Sequence, residues 1–215
     1  MTTEPGLTLY ADAFWISPYV FTCFVALREK GLPFAIEEVA LQDGAQHKTE
    51  FRDRSITGRV PALRHGDFWL AESTAIVEYL EEAFPRSPRV LPTDVKARAR
   101  ARQMLSWIRS DLGALRDERS TTTMFYDRAV RPLTHAGEAA AEKLARVVKT
   151  LLPEHGGPLF GAWSIADSDL AFMLHRLILN EYELDPKVRA WADSQWWRPS
   201  VQEFVTRSRP TYSAY

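Results

Sequence analysis

Three short stretches of this 215-residue chain place ligand-binding or reactive groups where backbone geometry would help them. Ser17-Pro18 precedes an apolar run. Serine at a helix N-cap and proline at the first helical position are both favoured for capping alone. A serine that accepts a backbone N–H still has its own O–H to donate. Aimed out of the helix start, that O–H would hold an anion such as a thiolate, which the positive end of the helix also favours. Arg59-Val60-Pro61 enters a second short apolar run. Pro61 is either an edge-strand residue or a cis proline, and a cis bond would turn the Val60 backbone outward to pair with a peptide. Glu72-Ser73 stands before a third. Ser73 reads as another N-cap; with the free N–H groups it would also suit an α-carboxylate, and Glu72 an ammonium.

Other residues read as structural, or leave two readings open. Ser164-Ile165-Ala166-Asp167 is a capping box with Asp in the third position. Cys23, the single cysteine, excludes an internal disulfide and a cysteine-based zinc site, and a buried thiol is expected. The five histidines are far apart in sequence. Phe14, Trp15, Trp107 and Phe125 are either core or the lining of an apolar pocket. Lys96, Arg98, Arg100 and Arg102 form a solvated helix start, or oppose its dipole and meet an acidic neighbour such as a partner subunit.

Positioning these groups requires two modules. Leu7 to Tyr10 reads as a strand, Ser17 to Lys30 as a helix ended by Gly31, and Phe34 to Leu41 as a second strand. Residues 42–58 are polar and irregular, with a short helix near Glu50; Val60 to Arg64 and Phe68 to Ala71 are strands around a turn, and Ser73 to Ala83 is a helix. This βαβ-ββα order predicts a mixed four-stranded sheet covered by helices. After it comes Pro85-Arg86-Ser87-Pro88-Arg89-Val90-Leu91-Pro92, a stretch that continues neither helix nor central strand. The rest reads as all helical: Asp94 to Leu115, Gly137 to Leu152, Ser164 to Asn180, and shorter helices near 186–193 and 200–207. The expected division is 1–84, a linker at 85–94, and 95–215.

Composition limits the function. Hydrophobic residues make up 46% and charged residues 26%, ordinary values for a folded chain. The net charge of −1 argues against nucleic-acid binding. Residues 1–84 carry 7 basic and 13 acidic side chains, and residues 85–215 carry 20 and 15, so the modules differ in sign. MTTEPGLTLY has no basic start and no apolar core, and Phe21 to Leu27 is too short to span a bilayer; no membrane association and a cytoplasmic location are expected.

In this order and spacing the motifs resemble the glutathione transferases over almost the whole chain. They are SPYVFTCFVALREKGLPF, RVPAL, ESTAIVEYLEEAFP, RVLP, RARARQMLSWIRSDL and LFGAWSIADSDLAFMLHRL. The Ser-Pro start resembles the serine-type tau and zeta classes, and the second half a bacterial subgroup. The resemblance implies an α/β thioredoxin-like N-terminal domain binding glutathione, an all-α C-terminal domain completing the pocket, no metal, and a homodimer. It matches Ser17 to the activating serine, Val60 with Pro61 to the peptide backbone contact, and Glu72 with Ser73 to the γ-glutamyl reader. Arg59 matches a position near the peptide, and either Gln46 or Lys48 meets the glycyl carboxylate. No cysteine stands close to Ser17, a departure from the zeta pattern that counts against zeta-type isomerase chemistry. The implied reaction is attack of glutathione thiolate on a small electrophile. Peroxide or disulfide reduction at the same site, and a non-catalytic ligand-binding role, are the alternatives.

Overall fold

The computed structural model describes residues 6–214, which form two units: one up to Val90 joined by the segment from Glu203, the other Leu91–Gln202.

The first unit contains β1 (Leu7–Asp12), α1 (Pro18–Glu29), β2 (Ala35–Val39), α2 (Thr49–Ser55), β3 (Ala62–His65), β4 (Phe68–Ala71) and α3 (Ser73–Ala83). The sheet order is β2-β1-β3-β4. β1 and β2 are parallel, whereas β1–β3 and β3–β4 are antiparallel. This is the mixed four-stranded sheet expected from the element order, in the thioredoxin-like form that the resemblance implies. Every residue of the central strand β1 is buried. Tyr10 packs with Val39, Phe51 and Ala62, and its ring lies 4.6 Å from that of Trp69.

Helix α1 starts where Ser17 Oγ accepts the Val20 N–H at 3.2 Å, with Pro18 in its first turn. It ends at Gly31, whose φ of +63° suits a residue without Cβ, while Leu32 N–H returns to the Leu27 carbonyl. Spacing predicts one apolar stripe on α1, but every residue from Val20 to Leu27 is buried. Burying each Leu or Phe side chain stabilises the fold by about 1.5–3 kcal/mol.

β2 is shorter than expected, ending at Val39 before two 3₁₀ turns, Leu41–Asp43 and Ala45–His47, joined by Gly44 at φ +67°. β3 starts at Ala62 rather than Val60; the Val60–Pro61 bond is cis and precedes the ladder, and Pro61 has no N–H to pair in it. Lys30 and Glu81, each 1% exposed, pair at 2.9 Å, and Glu81 also accepts the Val90 N–H at 2.9 Å. The proline-rich stretch is thereby fastened to α3.

The second unit holds α4 (Val95–Ser110), α5 (Gly113–Glu118), α6 (Thr122–Phe125), α7 (His135–Leu151), α8 (Ile165–Ile178) and α9 (Pro186–Trp196); α10 (Pro199–Val205) follows. The expected helix from Asp94 to Leu115 is broken after Ser110. There Asp111 accepts from Trp107 Nε1 at 2.6 Å and from the Lys143 ammonium, and Gly113 opens α5. Asp94 caps α4 through the Lys96 and Ala97 N–H groups, placing a carboxylate at the start of the basic run.

Helix α8 is buried throughout. At its start Asp167 accepts from Ser164 N and Oγ, both at 2.9 Å, and from Leu159 N at 2.8 Å. Burial pushes the Asp167 carboxyl up while those donors pull it down.

The segment from Glu203 departs from the expected boundary. It groups with the first unit, where the Phe204 ring packs edge-on against Trp15, Phe21 and Phe24 at 5.6, 5.3 and 5.7 Å.

Candidate active site at the carboxyl end of β1

Strand register gathers the six candidate residues at one end of the first unit's sheet. Asp12 lies beside Val39 on the parallel strand, so the chain after β1 and the chain after β2 leave at the same end. Ala62 faces both Tyr10 and Ala71 across antiparallel ladders. The residues before β3 and those after β4 therefore share that end. Ser17 follows β1, Gln46 follows β2, Arg59 and Val60 precede β3, and Glu72 and Ser73 follow β4.

Ser17 is half-buried at the N-cap of α1. Its backbone N–H donates to Asp12 Oδ1 at 3.1 Å, and the Ile16 N–H donates to Oδ2 at 2.8 Å. Asp12 is fully buried, which pushes its carboxyl up from the ordinary range; the two N–H donors oppose this. The loop between them turns at Trp15, which has φ +53° and is 1% exposed. Phe14 and Trp15 are both buried, Phe14 beside the half-buried Tyr212 and Trp15 against the buried Phe204, so the core alternative holds for both rather than the pocket one.

At β4, Glu72 rather than Ser73 occupies the N-cap of α3, with φ +70° and no side-chain capping bond. Glu72 is exposed, and Ser73 is the buried first helical residue. Cys23 Sγ lies 3.8 Å from the Ser73 carbonyl, tying α1 to the start of α3. Two helix N-termini thus flank the same sheet end, and both favour negative charge there.

Gln46 lies in the second 3₁₀ turn, and its Nε2 is 3.3 Å from His47 Nε2. Its Oε1 is buried with no hydrogen-bond partner among the described residues. Lys48 is exposed and stands at the N-cap of α2. Arg59 is exposed and Val60 half-buried, two residues before the first paired residue of β3. Asp12 is missing from the residues that sequence reasoning offers; its only local signal is an acidic residue five positions before the capping serine.

No group of three or more His, Cys, Asp or Glu among the described residues is arranged to hold a metal ion. No described helix is long and apolar enough to cross a membrane.

Residues 16–83 match the family described as glutathione S-transferase, N-terminal domain, and residues 94–209 match its C-terminal domain. The fold is similar to that of a glutathione transferase homologue from Burkholderia with bound glutathione, at TM-score 0.75 and 39% identity over 93% of this chain and 96% of that one. Among curated proteins, the probable glutathione S-transferase GSTU1 of Oryza sativa subsp. japonica is 28% identical over 202 residues, 83% of this chain and 81% of the rice protein. Glutathione S-transferase theta-3 of Mus musculus is 34% identical over 102 residues, 47% of this chain and 42% of the mouse protein. The chain thus spans less than half the length of that mouse relative. With both halves matched by the family's two domains, the chain belongs to the glutathione S-transferase family of enzymes.

Proposed function

We propose that this chain binds glutathione along the carboxyl end of β1 and transfers it to a small, apolar electrophile through a serine-held thiolate. The observation that carries this reading is Ser17 at the N-cap, its oxygen taken up by the Val20 N–H and its own O–H free of that bond. That O–H donates to the glutathione sulfur and favours thiolate over a thiol whose pKa is ordinarily about 8.5. Thiolate is the nucleophilic form, so the reactive fraction at neutral pH rises.

The remaining candidates hold the peptide. Glu72 meets the γ-glutamyl ammonium, while Ser73 and the α3 N-terminus meet its carboxylate. Val60 pairs with the peptide backbone, with Arg59 beside it. Gln46, through its Nε2 amide donors, and Lys48, through its ammonium, compete for the glycyl carboxylate. The helical unit is assigned the electrophile.

The reading extends to a cytoplasmic two-fold homodimer in which the acidic first module of one chain faces the basic second module of its partner. Arg98→Glu with Arg102→Glu should weaken that dimer in analytical ultracentrifugation. A protein monomeric at every concentration overturns the dimer.

Calorimetric titration with glutathione, followed by a panel of halogenated aromatics and hydroperoxides, tests the activity. Ser17→Ala should still bind glutathione and lose on the order of 100-fold in rate. Turnover of hydroperoxides alone would reassign the reaction to reduction, binding without turnover would make the protein a ligand carrier, and an unchanged rate in Ser17→Ala would remove the serine from the chemistry.

A further inference from the structure

The Trp15 backbone carbonyl, two residues before Ser17, is held by a side chain 194 positions away in sequence. Arg209 donates to it from Nε at 3.2 Å and from Nη2 at 3.1 Å. The same guanidinium also donates to the carbonyls of Phe204 at 3.1 Å and of Val205 and Arg207 at 2.9 Å. Arg209 is thus bonded to its own segment as well as to the Trp15 carbonyl. A second cation, the Arg207 guanidinium, lies 3.8 Å from the centre of the Trp15 ring, and the indole N–H donates to Glu38 Oε1 at 2.6 Å.

These contacts surround a residue whose backbone needs holding. A non-glycine residue at positive φ is strained and persists only where its surroundings over-determine it. If Trp15 relaxed, Ile16 and Ser17 would swing off the buried Asp12 carboxylate that now accepts both their N–H groups. The cap at Val20 would be lost with them.

We propose that the C-terminal segment positions Ser17: Arg209, aided by Arg207, clamps Trp15 and so fixes the direction of the serine hydroxyl. The proposal rests on the reading of Ser17 as the thiolate-holding group. Arg209 touches neither substrate nor reacting atoms in this account and is a positioning residue. Its fork reaches one carbonyl through two nitrogens, a geometry that a lysine ammonium cannot reproduce.

A double-mutant cycle tests it, read by the pH profile of kcat/KM with a chlorodinitrobenzene and by titration of the bound thiol. In the Ser17 enzyme, Arg209→Met should lower kcat about tenfold and raise the apparent pKa of bound glutathione, with KM for glutathione little changed. In the Ser17→Ala background the same change should matter less than twofold. Arg209→Lys, which keeps the charge, should recover less than half of the loss, and it serves if the methionine variant melts too low to assay. Equal losses in both backgrounds overturn the proposal, as does an Arg209→Met enzyme with unchanged pH profile. If Ser17→Ala itself leaves the thiol pKa unmoved, the proposed function fails first and this inference with it; if Ser17→Ala shifts the pKa and Arg209→Met does not, only the inference fails.

Discussion

Asp12 and Ser17 are tied across the β1–α1 loop by a hydrogen bond from the serine N–H to a carboxylate oxygen 3.1 Å away, on an aspartate with no exposed surface. The other oxygen takes the Ile16 N–H at 2.8 Å. One buried carboxylate therefore ends the strand and sets the start of the helix whose cap is the proposed catalytic group. Asp12→Ala strips both donors of their acceptor inside the protein. Each buried donor left without a partner costs about 1–3 kcal/mol. Asp12→Ala should lower the melting temperature and reduce kcat more than it changes KM for glutathione. A variant that melts lower with wild-type kcat would show that Ser17 needs no such support.

Glu72 offers a separation of stability from binding. It holds φ +70° with no capping bond from its side chain, a conformation that glycine adopts freely. Glu72→Gly should therefore melt no lower than wild type. If Glu72 reads the γ-glutamyl ammonium, Glu72→Gln loses a charge-assisted bond of about 1.5–3 kcal/mol. The loss should appear as a raised KM for glutathione with kcat nearly intact, the pattern of lost uniform binding. Steady-state kinetics of the glutamine variant with an unchanged KM would place the ammonium elsewhere.

The Lys30–Glu81 pair is a test of the fold rather than of the chemistry. Both side chains are 1% exposed, and Lys30 Nζ also donates to the Pro88 carbonyl at 3.1 Å. Removing one member leaves an uncompensated buried charge, which costs about 3–5 kcal/mol. Glu81→Ala should show that loss in urea unfolding. Lys30→Met combined with Glu81→Leu should recover part of it, because apolar replacement removes the uncompensated charge while the Val90 N–H and Pro88 carbonyl still lose their partners. A double variant as unstable as the single one would contradict this account.

What could be read in advance follows from the range of each interaction. The Ser17-Pro18 cap, the Ser164–Asp167 box and the turn at Gly31 involve residues within five positions of one another, so local chemistry exposes them. The break after Ser110 was hidden because Leu105, Ile108, Leu112 and Leu115 keep helical spacing through it; the side chain that ends the helix is held by Lys143. Burial around the whole of α8 was hidden for the same reason. Its charged residues are satisfied from other helices and loops, Asp169 by Arg109 at 2.9 Å and Arg176 by the Arg119 carbonyl at 2.7 Å. At the candidate site the mixed βαβ-ββα sheet is readable from element order, whereas the strand order and register that bring the motifs to one end are set by the ladders between distant segments. The clamp on Trp15 is not readable, since nothing near Trp15 in sequence points to Arg209.

His175 predicts how the protein responds to acid. It is buried in α8, with Nδ1 at 2.8 Å from the Ala171 carbonyl, Nε2 at 3.4 Å from Asp193 Oδ1, and its ring stacked 3.9 Å from that of Trp196. Burial pushes the imidazole down to about 4, against the Ala171 carbonyl and Asp193, which favour the proton; Arg189 lowers it further. The unfolded chain takes up this proton near the ordinary value of about 6.5, while the native chain waits until about 4. Between those values the unfolded state binds more protons, so stability falls as pH falls and levels off below the native value. A shift of that size corresponds to about 3 kcal/mol at pH 4. His175→Gln cannot titrate in this window. Urea midpoints at pH 7, 5.5 and 4 should therefore decline more steeply for the wild type than for His175→Gln. Parallel declines would mean that the acid sensitivity comes from other groups and that His175 takes up its proton at the same pH folded and unfolded.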